Sequence, residues 1–272
     1  MKKIGFIDFY ISEWHANNYP KWIKDCRGDD FEVAYVWAEE YISPVDGRNT
    51  DEWCREFGAQ RCQSIEELCE KSDYIVILSP SNPEKHLGYA KVALRYGKNT
   101  YIDKTFAPDY ATAKEIFDIA EQHGTSFFSS SALRYASELD TLGKKAGVTV
   151  TGGGSSIEEY IIHQIEILEK LTEVDPREVR VERQGEHYLC SVRDKDGCQS
   201  SMIFAPGAPF GVYAGGYTAI GSNFFGLLIE DVLRFFESGA VSFDTEQTLR
   251  IMKIREGVIK GKDALGQWIK TN

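Results

Sequence analysis

No apolar run in this 272-residue sequence approaches the ~20 residues that a membrane-spanning helix needs. The two lysines near the N-terminus are followed by no long apolar core and no small-residue cleavage site, so a signal peptide is not expected. Six cysteines stand at 26, 54, 62, 69, 190 and 198, and none forms C-x-x-C. That spacing argues against a zinc ribbon or a redox pair, and for reduced, mostly buried thiols in a cytoplasmic protein. Net charge is −11 with no cluster of Lys or Arg, which removes nucleic acid from the expected partners. Internal repeats and low-complexity tracts are absent as well.

What is present is an ordinary globular balance, 42% apolar and 27% charged. The length suits one large domain or two modest ones. The first half alternates strand and helix patterns. Strands are predicted at 4–7, 32–37, 74–78, 100–102 and 126–129, and helices at 13–24, 50–57, 65–69, 85–96 and 109–123. The Tyr74–Leu78 run is apolar throughout and rich in β-branched residues, which suits a strand covered on both faces. Repeated β-α units argue for a doubly wound parallel sheet whose ligands sit beyond the strands' carboxyl ends. After residue 130 the pattern becomes α+β, with strands at 148–153, 178–183, 187–193, 199–204 and 211–219. Helices are expected at 156–171, 223–237 and 245–260, and the Asp194–Gly197 stretch reads as a hairpin turn.

Glycine is missing where a nucleotide fold uses it most. The turn after the first strand ordinarily carries G-x-G-x-x-G, so that backbone can approach a diphosphate. Here Asp8, Tyr10 and Glu13 hold those positions. Two like charges 4 Å apart repel by ~1–4 kcal/mol over effective dielectrics of 80 to 20. Asp8 alone therefore opposes a diphosphate, and Tyr10 adds bulk where the second glycine would admit it.

Residues 72–124 nonetheless resemble the middle of the Gfo/Idh/MocA oxidoreductases. In that family one strand ends in a Thr-Pro-Asn-like loop followed by His and a helix, and the next ends in Glu-Lys-Pro. This chain has Ser79-Pro80-Ser81-Asn82 with His86, and Asp103-Lys104-Thr105. Arg134 and Tyr135 are similar to the family's Arg-aromatic segment, and His163 with Glu166 to its His-x-x-Asp helix. The chain is short for that family. The resemblance implies an N-terminal Rossmann-like dinucleotide-binding domain, 1–125. It implies a C-terminal α/β domain, 126–272, with a largely antiparallel open sheet for substrate and oligomerisation. It also implies hydride transfer between NAD(P) and a sugar, polyol or related alcohol or ketone.

On this basis Lys104, His163 and Glu159 are the candidate catalytic residues. Asp8, Tyr10, Ile11, Glu39, Ser79, Asn82, His86, Asp103 and Lys104 are the candidates for cofactor contact, and Arg134 and Glu166 for substrate. No metal is expected. A lysine at a strand's carboxyl end can hold a substrate oxygen and stabilise developing negative charge; alternatively Lys104 pairs with Asp103 at the surface. Glu159, His163 and Glu166 share one stripe of a helix, opposite an apolar stripe through Ile157, Ile161, Ile165 and Leu168. Such a stripe suits acid/base work or a solvated face, and Ser156-x-x-Glu159 also offers Glu159 a capping role. Glu39 or Glu40 suits a ribose hydroxyl, and without a neighbouring arginine NAD is favoured over NADP. His15, His123 and His187 show no companions in the sequence. The Asp8 and Tyr10 substitutions support an alternative: a cofactor-free relative acting as a sugar-binding accessory or regulatory protein, or as a lyase or epimerase. In either case a homodimer or larger assembly through the C-terminal sheet is expected.

Overall fold

The computed structural model describes residues 1–271. In chain order the elements are β1 (Lys2–Asp8), α1 (Trp14–Arg27), β2 (Phe31–Ala38), α2 (Thr50–Phe57), β3 (Gln60–Arg61), α3 (Ile65–Lys71), β4 (Tyr74–Ile77), α4 (His86–Ala93), β5 (Thr100–Asp103), α5 (Tyr110–His123) and β6 (Phe127–Ser130). There follow α6 (Ser137–Leu142), β7 (Thr149–Gly152), α7 (Ile157–Thr172), β8 (Pro176–Gln184), β9 (His187–Asp194), β10 (Gln199–Phe204), β11 (Gly211–Tyr213), β12 (Tyr217–Ala219), α8 (Phe224–Ser238), α9 (Glu246–Lys262) and β13 (Trp268–Lys270). The chain divides into two compact units: Met1–Ser129 with Leu228–Phe243, and Ser130–Leu227 with the residues from Asp244 onward.

The first unit is a six-stranded sheet in the order β3-β2-β1-β4-β5-β6, with parallel pairing from β3 through β5. Strand order reverses between β1 and β4, so the crevice at their carboxyl ends is the switch point where such sheets take ligands. Helix starts are built from polar caps: Asn49 and Glu52 form a capping box at α2, and Ser64 and Asp109 cap α3 and α5. β1 and β4 are apolar on both faces, as strands between helix layers must be.

A boundary at 125/126 would assign all later residues to the second domain. Residues 228–243 instead complete the first unit. Phe236 stacks on Tyr74 at 4.8 Å, and Phe235 meets Phe128 edge-on at 5.0 Å. Asn99 Nδ2 donates to the Phe236 and Phe235 carbonyls at 2.9 and 3.3 Å near the end of α8, where Phe235 O also accepts from Gly239 N at 2.7 Å.

The second unit carries a seven-stranded sheet, order β12-β11-β7-β10-β9-β8-β13, antiparallel except for β7 with β10. One predicted strand, 211–219, is a hairpin: Gly215 at φ +95° turns the chain between β11 and β12. Ile157, Ile161, Ile165 and Leu168 of α7 are buried in this unit's core together with Val150, Val179, Val181 and Met202. The sheet's other face leaves Leu189, Ile203, Tyr213 and Tyr217 at 38–52% exposure. Ile203 lies opposite Leu189 and Tyr213 opposite Tyr217.

α9 approaches β8 through Gly257 and Gly261. A Cβ at Gly261 would sit 2.6 Å from Val181 Cγ2, and one at Gly257 would sit 2.9 Å from Val179 Cγ2. Both valines are fully buried, so neither can swing aside. Gly261→Leu is expected to overpack this contact and lower stability by about 1–3 kcal/mol. Urea unfolding checks this, and an unchanged midpoint would contradict the packing.

Candidate active site

In the first unit three candidate segments meet at the carboxyl ends of β1, β4 and β5. Asp8, at the end of β1, is 1% exposed. Its Oδ1 accepts hydrogen bonds from Phe9 N (2.7 Å), Ser79 N (3.0 Å) and Ser79 Oγ (3.2 Å), and Phe9 N also donates to Ser79 Oγ at 2.8 Å. Ser79 stands at φ +64°, a left-handed conformation that non-glycine residues rarely adopt. Asp8 thus fixes the turn after β4 across the switch point. Burial, reinforced by the charge of Glu13, pushes the Asp8 carboxyl well above the usual carboxylate range.

Glu13 is the N-cap of α1. Its carboxylate accepts from His15 N at 2.8 Å and from Ala16 N. Burial raises this carboxyl too, with the His15 charge opposing. His15 Nδ1 contacts Asp103 Oδ2, and the imidazole stacks on Tyr19 at 5.4 Å. Burial alone would raise Asp103, but His15 and Lys104 outweigh it and hold the carboxyl below its ordinary value. Asp103 also accepts from Lys104 N at 2.8 Å and from Tyr101 Oη at 3.3 Å. In the sequence His15 showed no companion. Its partner lies 88 positions away, a separation that no local spacing reveals.

The remaining candidates in this unit are tied internally. Glu39 accepts from Lys85 Nζ at 2.5 Å and Tyr89 Oη at 2.7 Å, and the Lys85 hydrogen bond draws its carboxyl below the usual range. His86 is fully buried, with Nδ1 3.0 Å from the Phe106 carbonyl and Nε2 2.5 Å from that of Leu78. Its ring therefore offers no exposed atom to a cofactor. Asn82 Nδ2 donates to Glu84 at 3.2 Å. Ile11 is 2% exposed, and Tyr10 is half-buried. Lys104 is 9% exposed, and its ammonium reaches the Pro80 carbonyl at 3.4 Å. An ammonium has three donors, and this contact is at the long limit of a hydrogen bond.

In the second unit His163 is half-buried on α7, with Nδ1 2.6 Å from Ser131 Oγ. Its ring lies against Tyr160 and Phe210, with centroids at 5.7 and 5.8 Å. Glu166 does not lie on a solvated face. It is 4% exposed, accepting from Ser131 N at 2.9 Å and from Arg134 Nη1 at 3.0 Å. Arg134, also 4% exposed, reaches Gln247 Oε1 as well. The two residues expected to meet substrate thus meet each other, and the pair anchors Ser131, which in turn holds His163. Glu159 N donates to the Ser156 cap at 3.3 Å, and Ser155 Oγ donates to its carboxylate at 3.4 Å. Among the described residues no group of three or more His, Cys, Asp or Glu is placed to hold a metal ion.

Residues 32–131 match the model of the Gfo/Idh/MocA family, described as an oxidoreductase family with an NAD-binding Rossmann fold. That match spans 100 of the 272 residues, and over it the sequence is of the Gfo/Idh/MocA kind. Over 60 residues it is 35% identical to the uncharacterized oxidoreductase YhhX of Escherichia coli K12, a stretch covering 22% of this chain and only 17% of that protein. The myo-inositol dehydrogenase of Lactobacillus casei, solved with NAD(H) and myo-inositol, superposes with a TM-score of 0.82 at 12% identity, covering 100% of this chain and 97% of that one. A putative myo-inositol dehydrogenase from Sinorhizobium meliloti 1021 gives 0.77 at 12% identity, with 100% of both chains covered. At such identity these structures establish the fold alone.

The Gfo/Idh/MocA fold implies a dinucleotide at the β1–α1 turn, and the residues there do not fit one. The helix N–H groups that would face a diphosphate already serve the Glu13 carboxylate, and Phe9 N serves Asp8 and Ser79.

Near Glu166 a second buried carboxylate gives a pH signature. Glu169 is fully buried; Oε1 accepts from Arg250 Nε at 2.9 Å, and among the described residues Oε2 has no hydrogen-bond partner. Burial pushes its carboxyl from 4.5 to about 7, against the pull of Arg250. A folded pKa above the unfolded one means that the folded state binds the extra proton. This contribution to stability is complete below pH 4.5 and is lost as pH rises through about 7. Thermal melts should fall between those limits by an amount worth up to about 3 kcal/mol. Glu169→Gln should flatten that fall, and an unchanged slope would assign it to other groups.

Proposed function

We propose that this protein is an oxidoreductase of the Gfo/Idh/MocA kind that acts on a sugar, a polyol or a related alcohol or ketone. The observation that carries the reading is Lys104, a buried ammonium at the carboxyl end of β5 with one long hydrogen bond to its own chain. Such a group has donors left for a substrate oxygen and stabilises negative charge developing on it. His163 is the group that takes or returns the hydroxyl proton. Ser131 Oγ, 2.6 Å from its Nδ1, orients the ring for that exchange. Glu159, one turn before His163 on α7, completes the acid/base set. The polyol class is supported by the fold shared with inositol dehydrogenases. NAD is the favoured dinucleotide, because the family model is an NAD-binding one. A second reading, favoured by Glu13 on the helix N-terminus, is a cofactor-free relative that binds a sugar or moves its protons by elimination or epimerisation.

The test is a thermal-shift and turnover panel of inositols, hexoses and their keto forms, with and without NAD(H). A ligand at a hundred times its Kd raises stability by about 2.7 kcal/mol. Lys104→Ala and His163→Ala should each cut turnover by about 10²–10⁴ while the fold persists. A panel without one stabilising polyhydroxyl compound would refute both readings. Turnover with no added dinucleotide would select the second.

Self-association through the open sheet belongs to the same proposal. Leu189 and Ile203 form an exposed apolar centre, with Tyr213 and Tyr217 toward one edge and Trp268 under the Arg193 guanidinium at 4.0 Å toward the other. A C₂ dimer buries such a face against its own copy. Light scattering should give a multiple of 30.7 kDa, and Ile203→Glu should shift the mass toward one chain. A monomeric parent protein would end this part of the proposal. A reducing compartment is supported by six cysteines that form no disulfide among the described residues, of which Cys69 and Cys190 are pushed by burial to about 12 and so stay unreactive.

A further inference from the structure

Around the switch point of the first unit, three separate sets of internal contacts stand where a dinucleotide would make its own. The first is at the start of α1. Its N-terminal N–H groups are the natural seat of a diphosphate, and the Glu13 carboxylate accepts from two of them, at His15 and Ala16. The second is the crevice between β1 and β4. Asp8 bridges it to Ser79 through two hydrogen bonds, and Asp8 and Ser79 together take the Phe9 N–H. The third is the segment after β2, which is folded back over the turn. Glu40 N donates to Phe9 O at 2.7 Å, Ser43 Oγ donates to Ser12 O at 2.7 Å, and Ser12 Oγ donates to Asp46 Oδ2 at 2.7 Å. Glu39, the carboxylate placed for a ribose, is held by Lys85 and Tyr89.

Each contact alone is an ordinary cap or turn. Together they satisfy the donors that a diphosphate needs, put two buried carboxylates where its charge would go, and cover the turn with chain. We infer that this protein fills its own dinucleotide site: Glu13 stands in for the diphosphate on α1, Asp8 closes the crevice, and the Ser43–Asp46 segment clasps Ser12 over both. No diphosphate seats on the N-terminus of α1. A dinucleotide that serves this protein does so in a pose that leaves this turn alone. The inference concerns the cofactor turn only and does not depend on the sugar or polyol reading.

NADH and, separately, inorganic pyrophosphate are titrated against the full chain, Glu13→Gly and Glu13→Ser. The serine keeps a capping hydroxyl, so helix α1 retains its N-cap when the charge is gone. Both variants should bind NADH at least about tenfold more tightly than the parent protein. Adding Asp8→Gly to Glu13→Gly should extend the gain, and pyrophosphate should follow the same order. The inference is overturned if the parent chain saturates with NADH or pyrophosphate and the folded variants bind no better. It is equally overturned if Glu13→Ser, folded by circular dichroism and melting, gains nothing. A failed sugar panel with a positive gain here would leave the self-filled turn standing, and the reverse result would leave the polyol chemistry standing.

Discussion

Helices begin with N–H groups that must find acceptors, and at α1 the acceptor is the chain's own Glu13. The rest of the strand-end chemistry in the first unit follows from that choice. A carboxylate there must be buried with company, and the company is polar: Glu13 lies in the fields of His15 and Asp103, and Asp8 lies in the field of Glu13. Acidic and basic side chains alternate along the line from Glu13 through His15 and Asp103 to Lys104, so each buried polar group has a partner of the opposite kind. Lys104 is therefore fixed from behind by Asp103, while its ammonium end carries the lighter load of bonds.

The second unit uses the same device for a different end. A buried arginine and glutamate neutralise each other under the Ser131 segment, which gives a fixed hydroxyl to His163. Breaking such a pair from one side leaves an uncompensated charge indoors, which costs far more than the pair gains. Arg134 and Glu166 thus act at one remove, by setting the position of an imidazole.

Much of this was readable from the chain. The apolar runs at 4–7 and 74–78 and the helix patterns beginning at 50 and 109 fall on β1, β4, α2 and α5, the last one residue later because Asp109 is its cap, since local burial and capping decide those elements. The order of strands and helices, and with it the fold class, followed. Elements shorter than a pattern escaped: β3 has two residues and β13 three, and both exist through edge pairing with β2 and β8. The split of 211–219 turned on one left-handed glycine. At the site, Asp8 and Tyr10 announced an altered turn, but not that Glu13 would occupy it. Arg134 and Glu166 carried the right chemistry for a ligand and spent it on each other, because a contact 32 residues apart leaves no periodic trace.

One detail of connectivity bears on how the molecule is made. The first unit waits for residues 228–243, almost a hundred positions after its last strand. While the ribosome is still adding the second sheet, Tyr74 and Phe128 lack the phenylalanines that cover them, and Asn99 has no helix end to bind. Synthesis from the N-terminus therefore yields an unfinished first unit that closes only once residues 228–243 have been made. The long sequence separation of those contacts makes that closure a late event in folding.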